Sequence, residues 1–247
     1  MSNQNDGVSS FLTESGFNNN DSVAITRRQL HSELLTRLRE LIIVGKIKDG
    51  AKVPEKELCD YFGISRTPLR EALKVMAFEG LISLTHNRGA TVRPLTTNDL
   101  REVFPIYAHL EVLAGQLACQ RLTDEEINDL LLLHDKLVAL HEEDRFPQYV
   151  AMDELVHMRI EKASSNPVLL RMLQAVSGRV RRARYLVRAP RQRQKEALEE
   201  HGRIMKALRS RDCESLSQAI KIHVDNSFRF FEESLSAAAD VNSVLAN

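Results

Sequence analysis

Residues 55–79 read EKELCDYFGISRTPLREALKVMAFE, and this stretch decides how the N-terminal third of the chain folds. Residues 55 to 62 have the spacing of one short amphipathic helix, and Gly63 supplies the positive φ that a sharp turn needs. Ser65 is a favourable N-cap for a second helix that begins at Arg66. Two helices joined by a short turn that contains glycine predict a helix-turn-helix.

The second of these helices separates apolar from polar side chains. At about 100° per residue, one face is apolar and comprises Leu69, Ala72, Leu73 and Met76. The opposite face is polar and comprises Thr67, Arg70, Glu71 and Lys74, with Arg66 near its edge. Basic side chains at a helix start suit a major groove lined with phosphates. The residues expected to contact DNA are therefore Lys56, Arg66, Thr67 and Arg70.

The flanking segments distinguish a DNA-binding unit from a helical hairpin that only packs. Residues 27–44 have the periodicity of a preceding amphipathic helix. Residues 81–84 and 90–93 read as two short strands around His86, Asn87, Arg88 and Gly89. We interpret this hairpin as a wing whose tip reaches the minor groove or the DNA backbone. Helix, helix-turn-helix and wing together predict a winged helix-turn-helix domain.

Three segments, GISRTPLREAL, EGLI and NRGATV, resemble the N-terminal domain of GntR-family bacterial transcription regulators. Turn, cap, basic residues and wing match in order over residues 27–94. The resemblance implies binding to double-stranded DNA at a pseudo-palindromic operator by a homodimer.

The N-terminal part of the chain has the surplus of basic residues expected of a domain that binds nucleic acid. The chain has 34 basic and 34 acidic residues, yet residues 25–95 hold 13 Lys and Arg against 8 Asp and Glu, a surplus of five. No apolar run predicts a membrane span or a secretory leader, so we expect a cytoplasmic protein. Cys59, Cys119 and Cys213 form no CxxC pair, and we expect unpaired, small core residues in a reducing compartment.

The chain is predicted to be mainly α-helical, with two domains. Residues 1–22 lack apolar periodicity and read as a disordered tail, residues 23–95 form the winged domain, and residues 96–240 form an all-α bundle of six helices. Thr97 or Asn98 is the expected cap of the first bundle helix. Thr123 and Glu126 form a capping box at the start of the second. Leucine dominates the bundle, so an aliphatic core is expected.

Four ligand-type residues fall on the inward faces of three bundle helices. Asp153 and His157 are four residues apart, and His201 and His223 lie within the apolar stripes of the fifth and sixth helices. A buried carboxylate needs partners, so these groups either satisfy one another or share a metal. Three imidazoles and one carboxylate suit Zn²⁺, Ni²⁺ or Mn²⁺.

The bundle resembles the ligand-binding (FCD-type) domain of the FadR subfamily of GntR regulators, through AMDELVHMRIEKASSN, EEHGRIMKALRSRD and IKIHV. The resemblance implies that Asp153, His157, His201 and His223 bind a divalent metal and that the effector is a small organic acid. Six helices rather than seven resemble the VanR-type subgroup. Tyr107 stands where relatives usually carry an arginine, and Arg184 is a candidate carboxylate clamp, although arginines in RVRRARYLVR are also typical of a solvated face.

The favoured function is a transcription regulator, with repression as its expected action, in which the helical domain senses the effector. One alternative is a constitutive DNA-binding dimer in which the four residues form a structural metal site or a polar network. A metalloenzyme with a DNA-binding appendage is disfavoured, because HExxH or an equivalent general base is lacking.

Overall fold

The computed structural model describes residues 27–85 and 89–245. They divide between two compact units, one up to Leu95 and one from Thr96 onward. The tail expected over residues 1–22, and the wing residues His86, Asn87 and Arg88, lie outside the described residues. Within the described residues, no helix is long and apolar enough to cross a bilayer.

The first unit is a winged helix-turn-helix, as the sequence predicted. Its helices are α1 (Arg27–Ile43), α2 (Glu55–Phe62) and α3 (Arg66–Phe78), and its strands are β1 (Ile82–Thr85) and β2 (Gly89–Val92). The strands are antiparallel, with Ile82 opposite Val92. The apolar faces of the helices and the inner residues of the strands form one hydrophobic core. Packing against this shared core fixes the position of α3.

Backbone geometry explains the turn between α2 and α3. Gly63 ends α2 with φ 62° and ψ 34°, a left-handed conformation in which a Cβ atom would be strained. Ser65 occupies the N-cap position of α3 with extended backbone angles. The expected capping hydrogen bond from its side chain is not formed within the described part of the chain. The position of the cap was therefore predictable, whereas its hydrogen bond was not.

A buried ion pair connects the first helix of this unit to the end of α3. Arg39 Nε lies 2.7 Å from Glu79 Oε2, and Arg39 Nη2 lies 2.5 Å from Glu79 Oε1. The two residues are only 7% and 4% exposed. This bidentate contact compensates the loss of hydration of both charges, and it fixes the crossing of α1 and α3.

The second unit is all helical over its described residues, which confirms the predicted six-helix bundle. Its helices are α4 (Thr97–Arg121), α5 (Asp124–Glu142), α6 (Phe146–Ala163), α7 (Pro167–Leu186), α8 (Arg191–Arg209) and α9 (Cys213–Leu245).

Two capping boxes define where bundle helices begin. Thr96 caps α4 through a capping box with Asp99, so the expectation of Thr97 or Asn98 as the cap was wrong. Asp99, at position N3, accepts hydrogen bonds from the Thr96 amide and from the Thr96 hydroxyl. The predicted capping box of Thr123 with Glu126 at the start of α5 is confirmed.

Close packing of α4 against α9 forms the centre of the bundle. Gly115 makes this approach possible, because a Cβ atom there would lie 2.2 Å from Ile220 Cδ1. Aromatic rings also meet between these helices, with the Phe104 ring centroid 5.2 Å from that of Phe228 and 6.3 Å from that of Phe231. The core of the bundle is mainly aliphatic, as expected, and several of its few aromatic residues converge at this contact.

The expectation of unpaired cysteines was also wrong for two of the three. Cys119 near the end of α4 and Cys213 at the start of α9 form a disulfide with a Cα–Cα distance of 5.8 Å. The two are 94 residues apart in sequence, so no local spacing could reveal the pair, and the packing of α4 on α9 brings them together. Cys59 is buried and free, as expected.

Replacement of Arg39 by alanine should destabilise the winged unit by about 3–5 kcal/mol, because Glu79 would remain as a buried charge without its partner. Urea denaturation followed by circular dichroism measures this change. Replacing both residues by apolar ones (Arg39→Met with Glu79→Leu) should recover much of the stability. Arg37→Ala removes an exposed pair with Glu33 from the same helix and should cost no more than about 1 kcal/mol. Similar destabilisation in both single variants would contradict the role of burial.

Candidate functional site

The candidate DNA-contacting residues lie on the exposed side of the helix-turn-helix. Lys56, Arg66, Thr67 and Arg70 are all exposed, whereas Leu69 between them is fully buried. Arg70 Nε lies 3.5 Å from Glu55 Oε2 at the start of α2. A Cβ atom on Gly89 would lie 3.2 Å from Glu55 Oε1, so the wing approaches the same carboxylate. Glu55 thus lies between Arg70 on α3 and the wing.

Three imidazoles meet inside the helical unit. The Nε2 atoms of His201 and His223 are 3.3 Å apart, and those of His223 and His157 are also 3.3 Å apart. The three rings come from α6, α8 and α9, and each residue is at most 6% exposed. Within the described residues, these histidines form a group whose ligand atoms all lie within 4.8 Å of one another.

A carboxylate hydrogen-bonded to His223 fixes the orientation of that ring, and a second carboxylate lies near the His157 ring. His223 Nδ1 lies 2.7 Å from Glu200 Oε2, and His157 Nδ1 lies 3.5 Å from Glu111 Oε2. Since an imidazole that donates from Nδ1 keeps its lone pair on Nε2, both rings present acceptor atoms to the shared point. His201 Nδ1 is buried and receives no partner among the described residues.

Glu200 is itself held by neighbouring side chains. Arg193 donates two hydrogen bonds of 3.0 Å to its two oxygens, and Asn226 donates one of 2.7 Å. Burial alone would raise the pKa of Glu200, yet hydrogen bonds from His223, Arg193 and Asn226 lower that pKa to about 2. Glu200 is therefore an ionised acceptor that keeps its orientation.

Asp153 and Arg184 lie beside the imidazoles rather than among them. Asp153 Oδ1 is 3.5 Å from His201 Nε2, and Asp153 Oδ2 is 3.7 Å from Arg184 Nη1. Arg184 Nη2 lies 3.1 Å from His157 Nε2 and is positioned to donate to its lone pair. The sequence allowed Arg184 to point into the bundle or to lie on a solvated face. Because it is only 9% exposed, it lies inside the bundle.

Burial keeps the three imidazoles neutral at physiological pH. Desolvation, followed by the nearby Arg184 charge, lowers the pKa of His157 from 6.5 to about 4. Desolvation also lowers the pKa of His223 and, together with the neighbouring imidazoles, lowers that of His201 well below its usual value. Neutral imidazole is the form that coordinates a metal.

The donor set fits a divalent transition metal. The Nε2 atom of His223 lies 3.3 Å from each of the other two Nε2 atoms, and their lone pairs repel one another unless a cation or protons lie between them. Three histidines with carboxylates behind two of them are the usual surroundings of zinc and related ions. Asp153 would complete the set by turning from Arg184, and His157 would exchange its contact with Arg184 for the cation.

Two cavities adjoin the cluster on different sides. The larger, of about 260 Å³, opens between α4, α6 and α7, and its wall includes Tyr107, His157, Glu161 and Arg184. The smaller, of about 60 Å³, is lined in part by aromatic rings and includes Asp153, Arg184 and His223 in its wall. Arg184 lines both, so a small molecule in either cavity would meet its guanidinium.

A second acidic pair lies at the inner end of the larger cavity. Glu111 and Glu161 lie close enough for each to shift the pKa of the other, and Tyr107 lies beside Glu111. Burial, followed by the charge of Glu111, raises the pKa of Glu161 to about 8. Burial also raises the pKa of Glu111. The sequence singled out Tyr107, because it stands where relatives usually carry an arginine. It did not reveal the pair of Glu111 and Glu161, since nothing in the spacing places α4 beside α6.

The other histidines in the described part of the chain lie apart from the cluster. His134 comes nearest, with its ring centroid 6.4 Å from that of His201, and its Nε2 lies 3.4 Å from the Leu198 carbonyl oxygen. Glu200 and its partner Arg193 were not predicted from the sequence. Their separation of seven residues, two helical turns, was the available signal for the pair.

Two family models match consecutive parts of the chain. The model described as bacterial regulatory proteins, gntR family, matches residues 30–92, and the model described as the FCD domain matches residues 102–226. Together they cover both compact units.

Similar proteins match along most of their length. The Nta operon transcriptional regulator of Aminobacter aminovorans is 33% identical over 183 residues, 73% of this chain and 84% of that protein. The probable D-xylose utilization operon transcriptional repressor of Paenarthrobacter nicotinovorans is 27% identical over 81% of this chain and 90% of its own length. The solved structure of E. coli McbR/YncC shares the fold, with a TM-score of 0.73, 23% identity, and coverage of 83% of this chain and 97% of that one.

The lowered pKa of His157 predicts that the metal-free protein loses stability in acid. The unfolded chain binds this proton near pH 6.5 and the folded protein only near pH 4, so the free energy of unfolding falls as the pH drops through that window. Between about pH 7 and about pH 5, the decrease in wild type should exceed that in His157→Gln by about 2 kcal/mol. Urea denaturation after chelator treatment measures it.

Glu111 and Glu161 are present in both proteins, so their titration largely cancels in the comparison. His109→Gln replaces an exposed histidine and serves as the control. Equal acid sensitivity of wild type and His157→Gln would contradict a buried neutral imidazole.

Proposed function

Because the chain belongs to the GntR family of bacterial transcription regulators and carries an FCD domain, we propose that it is a repressor that responds to a ligand. The family is one of DNA-binding regulators and not of enzymes. In this proposal, the winged unit binds an operator and the helical unit senses a small carboxylate through a bound divalent metal. Operator binding would place the protein with the DNA in the bacterial cytoplasm. Six helices in the FCD domain favour the VanR-like subgroup.

The observation that carries the sensing proposal is the meeting of three buried Nε2 atoms beside a cavity and an arginine. Without a cation, these Nε2 atoms depend on a proton carried by a neighbouring ring or on Arg184, which donates to His157. The same arrangement with a cation satisfies all of them and leaves a place for an anionic ligand.

DNA recognition in this proposal depends on the exposed face of α3 and the start of α2. Arg66 and Arg70 are long enough to reach base edges, where a bidentate contact to guanine is the commonest specific one. Lys56 and Thr67 would contact the backbone. Gly89 would let the wing approach the DNA closely, with His86, Asn87 and Arg88 at its tip.

Replacement of both Arg66 and Arg70 by alanine should weaken operator binding by about 1–3 kcal/mol for each arginine that reads a base, and it should relax discrimination between sequences. The operator would be selected from a random library by the wild-type protein, and fluorescence anisotropy would measure affinity. Arg203→Ala removes an exposed arginine from the helical unit and should bind normally. Uniform weakening on all sequences would indicate phosphate contacts only, and unchanged affinity would contradict the assignment.

Metal binding in this proposal uses His157, His201, His223 and Asp153. The bound cation, Zn²⁺, Ni²⁺ or Mn²⁺, would supply an open coordination position for a carboxylate oxygen. Glu200 and Glu111 would hold two of the rings with Nε2 facing inward. Arg184 would pair with the carboxylate of the ligand, for which its guanidinium geometry is suited.

His201→Ala combined with His223→Ala should abolish metal binding, while Glu200→Gln should weaken it by roughly 10- to 100-fold because the acceptor that orients His223 is no longer charged. Chelator competition on the purified full-length protein measures both. Glu199→Gln changes an exposed neighbour and should retain wild-type affinity. Wild-type protein that takes up less than about a tenth of an equivalent of any transition metal would contradict this assignment.

One contact favours a second candidate function. Arg184 donates toward His157 Nε2 at 3.1 Å, so these side chains are able to form a polar network without metal. The protein would then be a constitutive DNA-binding dimer, with operator affinity that ignores both metal and small molecules.

In the leading proposal, the signal is transferred because the residues that coordinate the metal come from three different helices. Ligand binding that draws α6, α8 and α9 together would favour one arrangement of the bundle, provided the ligand binds the two arrangements with different affinity. The operator-binding units would then be held differently.

We further propose a homodimer, because two winged units read a pseudo-palindrome with twice the contacts of one. Sedimentation of the full-length protein at micromolar concentration should give a mass of about two chains. A monomer at that concentration, both with and without operator DNA, would contradict the dimer.

A further inference from the structure

The larger cavity contains more hydrogen-bond acceptors than an unsubstituted carboxylic acid could use. Glu161 and Tyr107 line its wall, and Glu111, which does not line it, interacts with both. Glu111 is 2% exposed, and its Oε1 receives no hydrogen bond from any residue in the described part of the chain. A buried carboxylate oxygen without a donor is costly, so a donor from outside the protein would be favoured there.

The other charged groups at the inner end of this cavity are already engaged. Arg181 pairs with Glu154, and Arg184 contacts His157 and Asp153. Lys162 and Arg171 line the cavity but are exposed near its mouth. Arg184 is the nearby positive charge that acts on both glutamates, and its guanidinium is shared with Asp153 and His157.

The cavity consequently has two chemically different ends. At one, the Arg184 guanidinium favours an anion, and at the other, the acidic pair of Glu161 and Glu111 favours a donor, best one whose positive charge stabilises the ionised form of the pair. An ammonium group has three donors and makes charge-assisted hydrogen bonds, whereas a hydroxyl offers one neutral donor.

We propose that the small molecule sensed by this protein is a zwitterion, an amino-substituted carboxylic acid. Its carboxylate lies at the end formed by Arg184 and His157, and its ammonium group lies between Glu161, Glu111 and Tyr107. This inference rests on the proposed function, since it specifies the ligand of the same helical unit. It also assigns Glu161 as the residue that selects for the amino group.

Isothermal titration calorimetry on the zinc-loaded full-length protein tests this with matched acids. Each series keeps the carbon chain and changes one substituent: propionate, lactate and alanine; succinate, malate and aspartate; glutarate, 2-hydroxyglutarate and glutamate. In at least one series, the amino member should bind roughly 10- to 100-fold more tightly than the unsubstituted acid, with the hydroxy member between them.

Two variants identify the group responsible. Glu161→Gln leaves a half-buried amide that cannot ionise beside an ammonium group, so it should abolish most of the preference for the amino member. Glu161→Lys places an ammonium group from the protein itself in the same region and should turn the preference toward the unsubstituted acid. Glu199→Gln is the matched control on an exposed surface and should bind like wild type.

Three results would overturn the inference: equal affinities within every series, tightest binding of a hydroxy or unsubstituted acid, or no binding of any amino member at millimolar concentration. A preference that survives Glu161→Gln would overturn the role of this residue. Failure of the wild-type protein to hold zinc or to bind operator DNA would instead contradict the proposed function. Normal zinc content and operator binding without an amino preference would contradict the zwitterion alone.

Discussion

The meeting of three neutral imidazoles at one buried point is the constraint on which the helical unit depends. Nε2 separations of 3.3 Å from His223 to His157 and to His201 fix the relative positions of three helices, in addition to apolar packing and to the hydrogen bonds of Glu200 between α8 and α9. Apolar contacts tolerate sliding by a fraction of a helical turn, whereas hydrogen bonds and metal coordination do not. The cluster therefore sets the register of α6, α8 and α9.

The groups behind the imidazoles make this arrangement possible. Glu200 is a buried carboxylate that would be costly alone, yet Arg193 and Asn226 satisfy its oxygens and His223 donates to it. Glu111 has no comparable support, since one oxygen lacks a donor among the described residues. One carboxylate is thus fully satisfied and orients a ring, while the other is left ready for a ligand donor.

Much of the fold was predictable because its signals are local. Gly63 and the spacing of Leu69, Ala72 and Met76 determine the helix-turn-helix from one short stretch. Asp153 and His157 share a face by their four-residue spacing, and His201 and His223 lie in apolar stripes, so their inward direction followed from periodicity. Convergence of all three histidines required only that those stripes face one core.

What could not be predicted depends on contacts between helices distant in sequence. The Cys119–Cys213 disulfide and the close approach at Gly115 both arise from the packing of α4 on α9. The Glu111–Glu161 pair arises from the packing of α4 on α6. A carboxylate on an inward helix face looks the same in sequence whether it orients a histidine, shares a hydrogen bond or meets a ligand, and only the partner across the interface distinguishes these roles.

X-ray absorption spectroscopy of the zinc-loaded full-length protein tests most directly whether this cluster is a metal centre. The proposed site predicts zinc–nitrogen or zinc–oxygen distances of about 2.0–2.1 Å, with additional scattering from the more distant atoms of three imidazole rings. The same measurement on His201→Ala/His223→Ala should show no such scattering. A wild-type spectrum without imidazole scattering, or one that contains zinc–sulfur distances of about 2.3 Å, would contradict a metal centre at these three histidines.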